Sequence, residues 1–210
     1  MSIDDDRDPP LRNMDRAEAV RHLIHTAVRM VAMAEDPFAT HVIIQSADKI
    51  LTDVAKKSGR ALAFDFGEFI KPEYRKQWFG IHRETYNFLK HADRDPSGEL
   101  GVRRIAETNA AELIMAVENY AAVFGAITEH MSVIRVFARL WKPNWFHVSE
   151  DPKVEELRAQ LRHFKGHTPY QFFRTLVETR INSPGLLQEK QADIADAFGF
   201  YSEVMTGPDH

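Results

Sequence analysis

The chain has 210 residues, 44% of them hydrophobic, so it can form a sizeable core without a metal or a disulfide. It contains no cysteine, which excludes thiolate catalysis, iron–sulfur clusters and cysteine-ligated zinc and fits a reducing compartment. Its net charge of -4 argues against broad, sequence-independent binding of nucleic acid, which needs an electropositive face.

The beginning of the chain, residues 1–14, is rich in Asp and carries Pro9-Pro10, a composition typical of a disordered acidic tail. It lacks the basic start and the apolar run of a signal peptide. No stretch of the sequence approaches the roughly 20 apolar residues that span a bilayer. We therefore expect a soluble, cytoplasmic protein with no membrane partner.

Hydrophobic residues recur at helical spacing along most of the chain. The first three predicted helices span residues 15–34, 37–58 and 72–92. Asp15 and Asp36 stand at the positions of N-cap residues, and Gly59 ends the second helix. The third helix carries an apolar stripe on one side, made of Tyr74, Trp78, Ile81, Thr85 and Phe88.

The second half of the chain begins with residues 95–98, whose Asp-Pro-Ser-Gly sequence predicts a type I turn. Further helices are predicted over residues 102–124, 127–141, 151–166, 168–180 and about 187–198. Thr168 and Gln171 are typical of a capping box. The sequence thus predicts an all-α protein: a single helical bundle of seven or eight helices over residues 15–200, followed by a flexible tail, 201–210.

The end of the third predicted helix and the turn after it hold the densest group of titratable side chains in the chain. An amide, an ammonium, an imidazole, a guanidinium and two carboxylates come from Asn87, Lys90, His91, Asp93, Arg94 and Asp95. Because polar groups at a helix end can converge on a ligand, we interpret these residues as the candidate binding segment.

Two interpretations of this segment remain open. His91, Asp93 and Asp95 alternate along the chain, and imidazole with carboxylates is typical of a zinc or manganese site. Alternate residues converge only in an extended chain, however. In the structural interpretation, Lys90 and His91 complement the helix dipole, and Arg94, which stands between two aspartates, bridges helix ends in an ion-pair network. The structural interpretation is favoured, so neither a metal nor another cofactor is predicted.

Two other groups of side chains raise the question of a metal site. His22 and His25 are three residues apart on the first helix, but no Glu-x-x-His pair, which di-metal bundles require, occurs in the chain. We therefore expect both histidines on a solvated helix flank. Glu112 and Glu118 are six residues apart on one helix and are not expected to converge.

Arginine and histidine also recur on the third helix at a spacing known from a protein family. Six residues separate Arg75 from His82, and seven separate Arg83 from His91. Residues 15–100 resemble the HEPN superfamily of helical bacterial proteins, in which Arg, four to six residues and His follow a polar residue near a helix end. The first pair fits this spacing, and the second exceeds it by one residue.

The resemblance implies a nuclease activity. In this family two protomers bring Arg and His together to cleave RNA without a metal. Histidine would act as the general base toward a 2′-hydroxyl, and arginine would stabilise the charge of the phosphorane. Residues 101–200 would then be additional helices without a counterpart in the resemblance.

Two hypotheses for function follow. The first is a non-enzymatic protein that binds a partner or ligand as a homodimer, because the sequence has no convergent catalytic set and apolar helices such as 126–141 can supply a partner face. The alternative is a HEPN-like metal-independent ribonuclease, or an inactive relative, in a toxin or defence system. A nuclease needs Arg and His from two subunits around one basic cleft, whereas a binding protein leaves the polar helix end facing solvent or holding its own loop.

Overall fold

The computed structural model describes residues 13–65, 72–91, 96–101, 104–141, 168–180 and 189–191. The helices in these ranges are α1 (Arg16–Met33), α2 (Pro37–Ser58), α3 (Pro72–Lys90), α4 (Ile105–Phe124), α5 (Glu129–Trp141) and α6 (Pro169–Arg180). Two strands, β1 (Ala126–Thr128) and β2 (Glu189–Gln191), pair antiparallel with Ile127 opposite Lys190. The described chain is therefore predominantly helical, as predicted. The predicted helix over 151–166 lies outside the described residues, so a total of seven or eight helices stays a prediction.

The helix N-termini follow the local sequence signals. Asp15 Oδ1 accepts the N–H of Glu18 at 2.7 Å, and Asp36 caps α2 in the same way. At α6 the N–H of Thr168 donates to Gln171 Oε1 at 2.7 Å, and the N–H of Gln171 donates to Thr168 Oγ1 at 3.2 Å. This reciprocal pair is the predicted capping box.

Two of the helix predictions differ from the structure at the residues that form the small sheet. The fifth helix was expected from about residue 127, but Ala126–Thr128 form β1 and the helix begins at Glu129. The last helix was expected over about 187–198, but Glu189–Gln191 form β2, and the other residues of that range lie outside the described structure. Each strand has only three residues, and its partner is far away in sequence. Local periodicity therefore contains no signal for this pairing.

Helix α4 lies at the centre of the described structure. It packs against α1, α2 and α5, while α6 packs on α5 and α1, and α3 packs on α2. Apolar side chains from five helices form one core cluster, which includes Ile24, Leu51, Val117, Phe137 and Phe173. Burying a side chain of this size stabilises a fold by about 2 kcal/mol. No helix in the described ranges is both long and apolar enough to cross a bilayer.

The connector after α2 is fixed to the second half of α4. The N–H of Phe64 donates to Asn119 Oδ1 at 2.8 Å, and Asn119 Nδ2 donates to the Phe64 carbonyl at 3.3 Å. Arg60 donates to the carbonyl of Val123 near the end of the same helix. The connector therefore has defined contacts although residues 60–65 form neither helix nor strand.

Strand β1 is joined to α1 by side chains. Thr128 Oγ1 lies 2.8 Å from His25 Nε2 and accepts the N–H of Met131 at 3.2 Å. The rings of His25 and His130 meet edge to face with centroids 5.1 Å apart, and both residues are buried. The expectation that His25 lies on a solvated flank is therefore wrong, because a residue 103 positions away covers it. His22 is exposed, as expected.

An ion pair joins α4 to α5. Arg135 donates from Nε and Nη2 to the two carboxylate oxygens of Glu118, both at 2.7 Å. Glu118 is buried, whereas Arg135 is half-buried. Fork-to-fork pairing of this kind fixes the relative orientation of the two helices as well as their distance.

We expect Arg135→Ala to lower the free energy of unfolding by about 3–5 kcal/mol, because it leaves the buried carboxylate of Glu118 without its fork. Arg174→Ala is the matched control, since Arg174 pairs with Glu178 at 2.8 Å on the exposed surface of α6. Exposed pairs contribute at most about 1 kcal/mol. Urea unfolding of both variants measures the difference, and equal losses would contradict the prediction.

Candidate functional site

The predicted binding residues that the structure describes lie at the end of α3. Arg83, Asn87 and Lys90 are exposed, and His91 is half-buried immediately after the helix. The N–H of His91 donates to the carbonyl of Asn87 at 2.9 Å, which continues the helical hydrogen bonding by one residue. Asn87 and His91 therefore share one side of the helix end, as their spacing predicts.

The other predicted site residues are not described at the level of their side chains. Arg75 and His82 both belong to α3, but their side chains lie outside the described part of the structure. Asp93, Arg94 and Asp95 also lie outside the described residues. Among the residues that are described, no group of three or more His, Asp or Glu side chains is placed to hold a metal.

Lys90 lies along the surface of α3. Its Nζ donates to Tyr86 Oη at 3.2 Å and lies 5.2 Å from the centroid of the Tyr86 ring. This contact joins residues four apart on one helix, so it holds the ammonium against the helix without burying it.

A second polar group, which the sequence analysis did not identify, lies between α2 and α4. We call it the α2–α4 polar cluster, and it consists of His41, Gln45, Asp48, Asn109 and Glu112. The three α2 residues follow one another at intervals of four and three, which places them on one helical face. Asp48 is half-buried and the other four are buried.

Glu112 is the centre of this cluster. Gln45 Nε2 donates to Glu112 Oε2 at 2.9 Å, and His41 Nδ1 lies 3.4 Å from the same oxygen. His41 Nδ1 is also 3.0 Å from Asn109 Oδ1, whose amide Nδ2 donates to the carbonyl of Pro37 at 2.7 Å. The cluster therefore fixes the first turns of α2 against α4.

The environment of the cluster shifts the proton affinities of two of its members. Burial lowers the pKa of His41, but the hydrogen bond and the charge of Glu112 outweigh it, so the pKa is raised. Burial is the largest cause that raises the pKa of Asp48, and the charge of Glu112 acts in the same direction. The charge of Arg83 opposes both, and the resulting pKa is about 6. A carboxyl group that titrates this close to neutral pH is suited to proton transfer or to a structural ion network.

Arg83 connects the two polar groups. It is exposed on α3, and its charge acts on Asp48 of α2, at the edge of the α2–α4 polar cluster. Of the residues predicted from sequence, Arg83 is thus the one that the described structure relates to the buried cluster.

A signal for the buried cluster is present in the sequence of α4. Residues 109–121 are almost all apolar around the helix, and the exceptions include Asn109, Glu112, Glu118 and Asn119. A polar residue on a helix that is apolar on every side must find its partner inside the protein.

The prediction that Glu112 and Glu118 do not converge is confirmed, since they bind different helices.

No protein-family model, curated protein or solved structure matches this chain. The resemblance to the HEPN superfamily therefore stays a prediction from sequence.

We expect Arg83→Gln to raise the pKa of Asp48 above its value of about 6, because the substitution removes the cation that opposes burial. Glu112→Gln is expected to lower it, because a negative neighbour is removed. Carboxyl ¹³C chemical shifts followed across pH measure this directly. Lys90→Gln, on the same exposed helix end, is the control and should leave the Asp48 titration unchanged.

The same shift predicts a pH dependence of stability. The pKa of folded Asp48 lies above the ordinary value of 3.8, so its contribution is fully present below about pH 4 and is lost as pH rises through 6. Asp48→Asn should therefore gain about 1–3 kcal/mol relative to the natural protein between pH 4 and pH 7. A relative stability that stays flat or falls over this range would contradict the assignment.

Proposed function

We propose that this protein acts by binding and works as a homodimer in which the second half of α3 forms part of the interface. The observation that carries the proposal is a pair of adjacent apolar side chains, Phe88 and Leu89, which are 39% and 37% exposed. Among the described residues, the only other large hydrophobic side chain exposed to this degree is Met14, near the start of the described chain.

The described side chains of α3 are less buried than those of the other long helices. None of its described side chains from Arg83 to Lys90 is buried, whereas α1, α2 and α4 each bury seven residues or more. Phe88 is the last member of the apolar stripe predicted for this helix. An apolar stripe with an exposed end is typical of a surface that a partner covers.

A second copy of the chain is the partner that the charges favour. The exposed apolar pair is bordered by charges of both signs, with Glu84 one turn before Phe88 and Lys90 directly after Leu89. Two-fold symmetry brings the same surface of each subunit together, so a surface with both signs of charge can complement itself.

The lack of cysteine agrees with a soluble protein of the reducing cytoplasm.

Sedimentation velocity tests this proposal. We expect the natural protein to sediment as a dimer and the double variant Phe88→Ala with Leu89→Ala to dissociate at least about tenfold more readily, because central apolar contacts dominate interface energies. Met14→Ala removes an apolar side chain that is more exposed, at 53%, and lies elsewhere in the chain, so it should leave the dimer intact. A natural protein that is monomeric at all concentrations would refute the proposal.

A second candidate function is metal-independent cleavage of RNA. One observation favours it: Arg83, Asn87 and Lys90 are exposed on the last two turns of α3, and His91 follows the helix directly. Such a group can contact a phosphodiester, and the HEPN-like spacing of Arg75 and His82 on the same helix would supply the catalytic pair under this alternative.

RNA cleavage in the presence of a chelator tests the second candidate. If the protein is a nuclease, His82→Ala or His91→Ala should abolish cleavage, and the variant that does so identifies the general base. His22→Ala replaces an exposed histidine on α1 and serves as the control. An absence of cleavage by a folded dimer would leave binding as the function.

A further inference from the structure

Two buried histidines meet where β1 and the start of α5 contact α1. His25 belongs to α1 and His130 to the first turn of α5, and their exposed fractions are 3% and 1%. The two rings meet edge to face with centroids 5.1 Å apart. Thr128 of β1 is completely buried, and its Oγ1 lies 2.8 Å from His25 Nε2. We call these three residues the histidine cluster.

The packing of the histidine cluster favours neutral imidazoles. A protonated imidazole carries an N–H on both ring nitrogens, and a buried N–H needs an acceptor. Nε2 of His130 is buried and has no hydrogen-bond partner in the part of the chain that the structure describes. Two imidazolium ions in contact would also repel each other strongly, because water does not screen them. The closed cluster therefore disfavours protonation of either ring.

Charged groups around the histidine cluster act in the same direction. The groups that lower the pKa of His25 electrostatically are all basic, and they are His130, Arg21, Arg29 and His22. Three acidic side chains on the surrounding helices have basic partners of their own, which are His22 for Glu18, Arg135 for Glu118 and Arg174 for Glu178. Glu129 precedes His130 in the sequence, and Glu189 is opposite Thr128 in the strand register.

The pKa values of the two rings agree with the geometry. Burial is the largest cause that lowers the pKa of His25, the charge of His130 acts in the same direction, and the resulting pKa is about 3. Burial and then the charge of Arg29 lower the pKa of His130 to about 4, against a hydrogen bond to the backbone of His25. Since both values lie below the ordinary 6.5, the contribution of the cluster to stability is fully present above pH 6.5 and is lost as the pH falls toward 4.

The α2–α4 polar cluster responds to acid in the opposite sense. The pKa values of His41 and Asp48 are both raised. Acid therefore does not remove their contributions to stability, and that of Asp48 grows as the pH falls through 6. Acidification thus weakens the contact of α1 with β1 and α5, while it leaves α2 held against α4.

From this geometry we propose that the histidine cluster is an acid-sensitive switch. At neutral pH it holds β1 and the first turn of α5 against α1, and protonation of the two rings releases this segment while α2 and α4 stay packed. The segment is bounded by Gly125, where α4 ends with φ 68°, and by Arg135, whose fork to Glu118 holds the rest of α5 on α4. The switch involves no residue of α3 and is independent of the proposed dimer interface.

Hydrogen exchange of the full chain, followed by mass spectrometry at pH 7 and at pH 5, tests the switch. After correction for the effect of pH on intrinsic exchange, we expect protection of amides 126–134 to fall at least about tenfold at pH 5. This range includes the N–H of Met131, which donates to Thr128 Oγ1 at 3.2 Å. Protection in α2 and α4 should stay the same or increase. Unchanged protection of residues 126–134, or an equal loss in every helix, would overturn the proposal.

Replacement of both rings should remove the response to acid. His25→Gln keeps a nitrogen that can hydrogen-bond to Thr128, and His130→Phe keeps an aromatic ring in the same place, but neither new side chain titrates. In the double variant, residues 126–134 should be as protected at pH 5 as at pH 7. A loss of protection as large as that of the natural protein would contradict the switch.

The single variant His130→Phe covers the case in which the double variant does not fold. With one titrating ring left, the loss of protection at pH 5 should be at least about threefold smaller than in the natural protein. An undiminished loss would again overturn the proposal. If this variant does not fold either, the comparison of residues 126–134 with α2 and α4 in the natural protein still decides the question.

Two controls separate the switch from other effects of acid. His22→Gln replaces an exposed histidine on α1 that lies 3.6 Å from Glu18, and this variant should open at pH 5 like the natural protein. The Phe88→Ala, Leu89→Ala variant should open in the same way, which separates the switch from the dimer interface.

Discussion

Helix α4 is buried or half-buried along its whole length after the first turn, and this constrains every element around it. Four polar residues on a helix without a solvated side must find partners within the protein. Asn109 and Glu112 bind α2, and Glu118 binds α5. Asn119 holds the backbone of Phe64 in the connector. Each partner fixes one neighbouring segment, so the polar residues determine how the helices are arranged while the apolar residues supply most of the stability.

The helices themselves are predictable because the signals for them are local. Asp15 and Asp36 cap the helices that follow, and Thr168 with Gln171 forms the predicted box. The sheet is not predictable in this way, since β1 has three residues and its partner strand comes much later in the chain. The expectation that His25 is solvated was wrong for the same reason. The spacing of His25 from its neighbours on α1 does not reveal that Thr128 and His130 cover it.

In the candidate site, too, residues that are close together in the sequence were predicted, and residues that only packing brings together were not. The exposed residues Arg83, Asn87 and Lys90 were identified from sequence because they stand together near a helix end. The α2–α4 polar cluster was not identified, because His41 and Glu112 belong to separate helices and only packing brings them together. Charge along one helix is visible in a sequence, whereas a pKa shift caused by burial depends on the folded environment.

The pairing of β1 with β2 has a consequence for biosynthesis. Strand β1 ends at Thr128, and β2 begins only at Glu189. At roughly 5–20 residues per second, a ribosome needs several seconds to make the chain between them, whereas a helix forms in about a microsecond. The nascent helices therefore have time to pack around β1 before the second strand exists. During those seconds the edge of β1 that β2 later covers can pair with another chain, and its length of three residues keeps that hazard small.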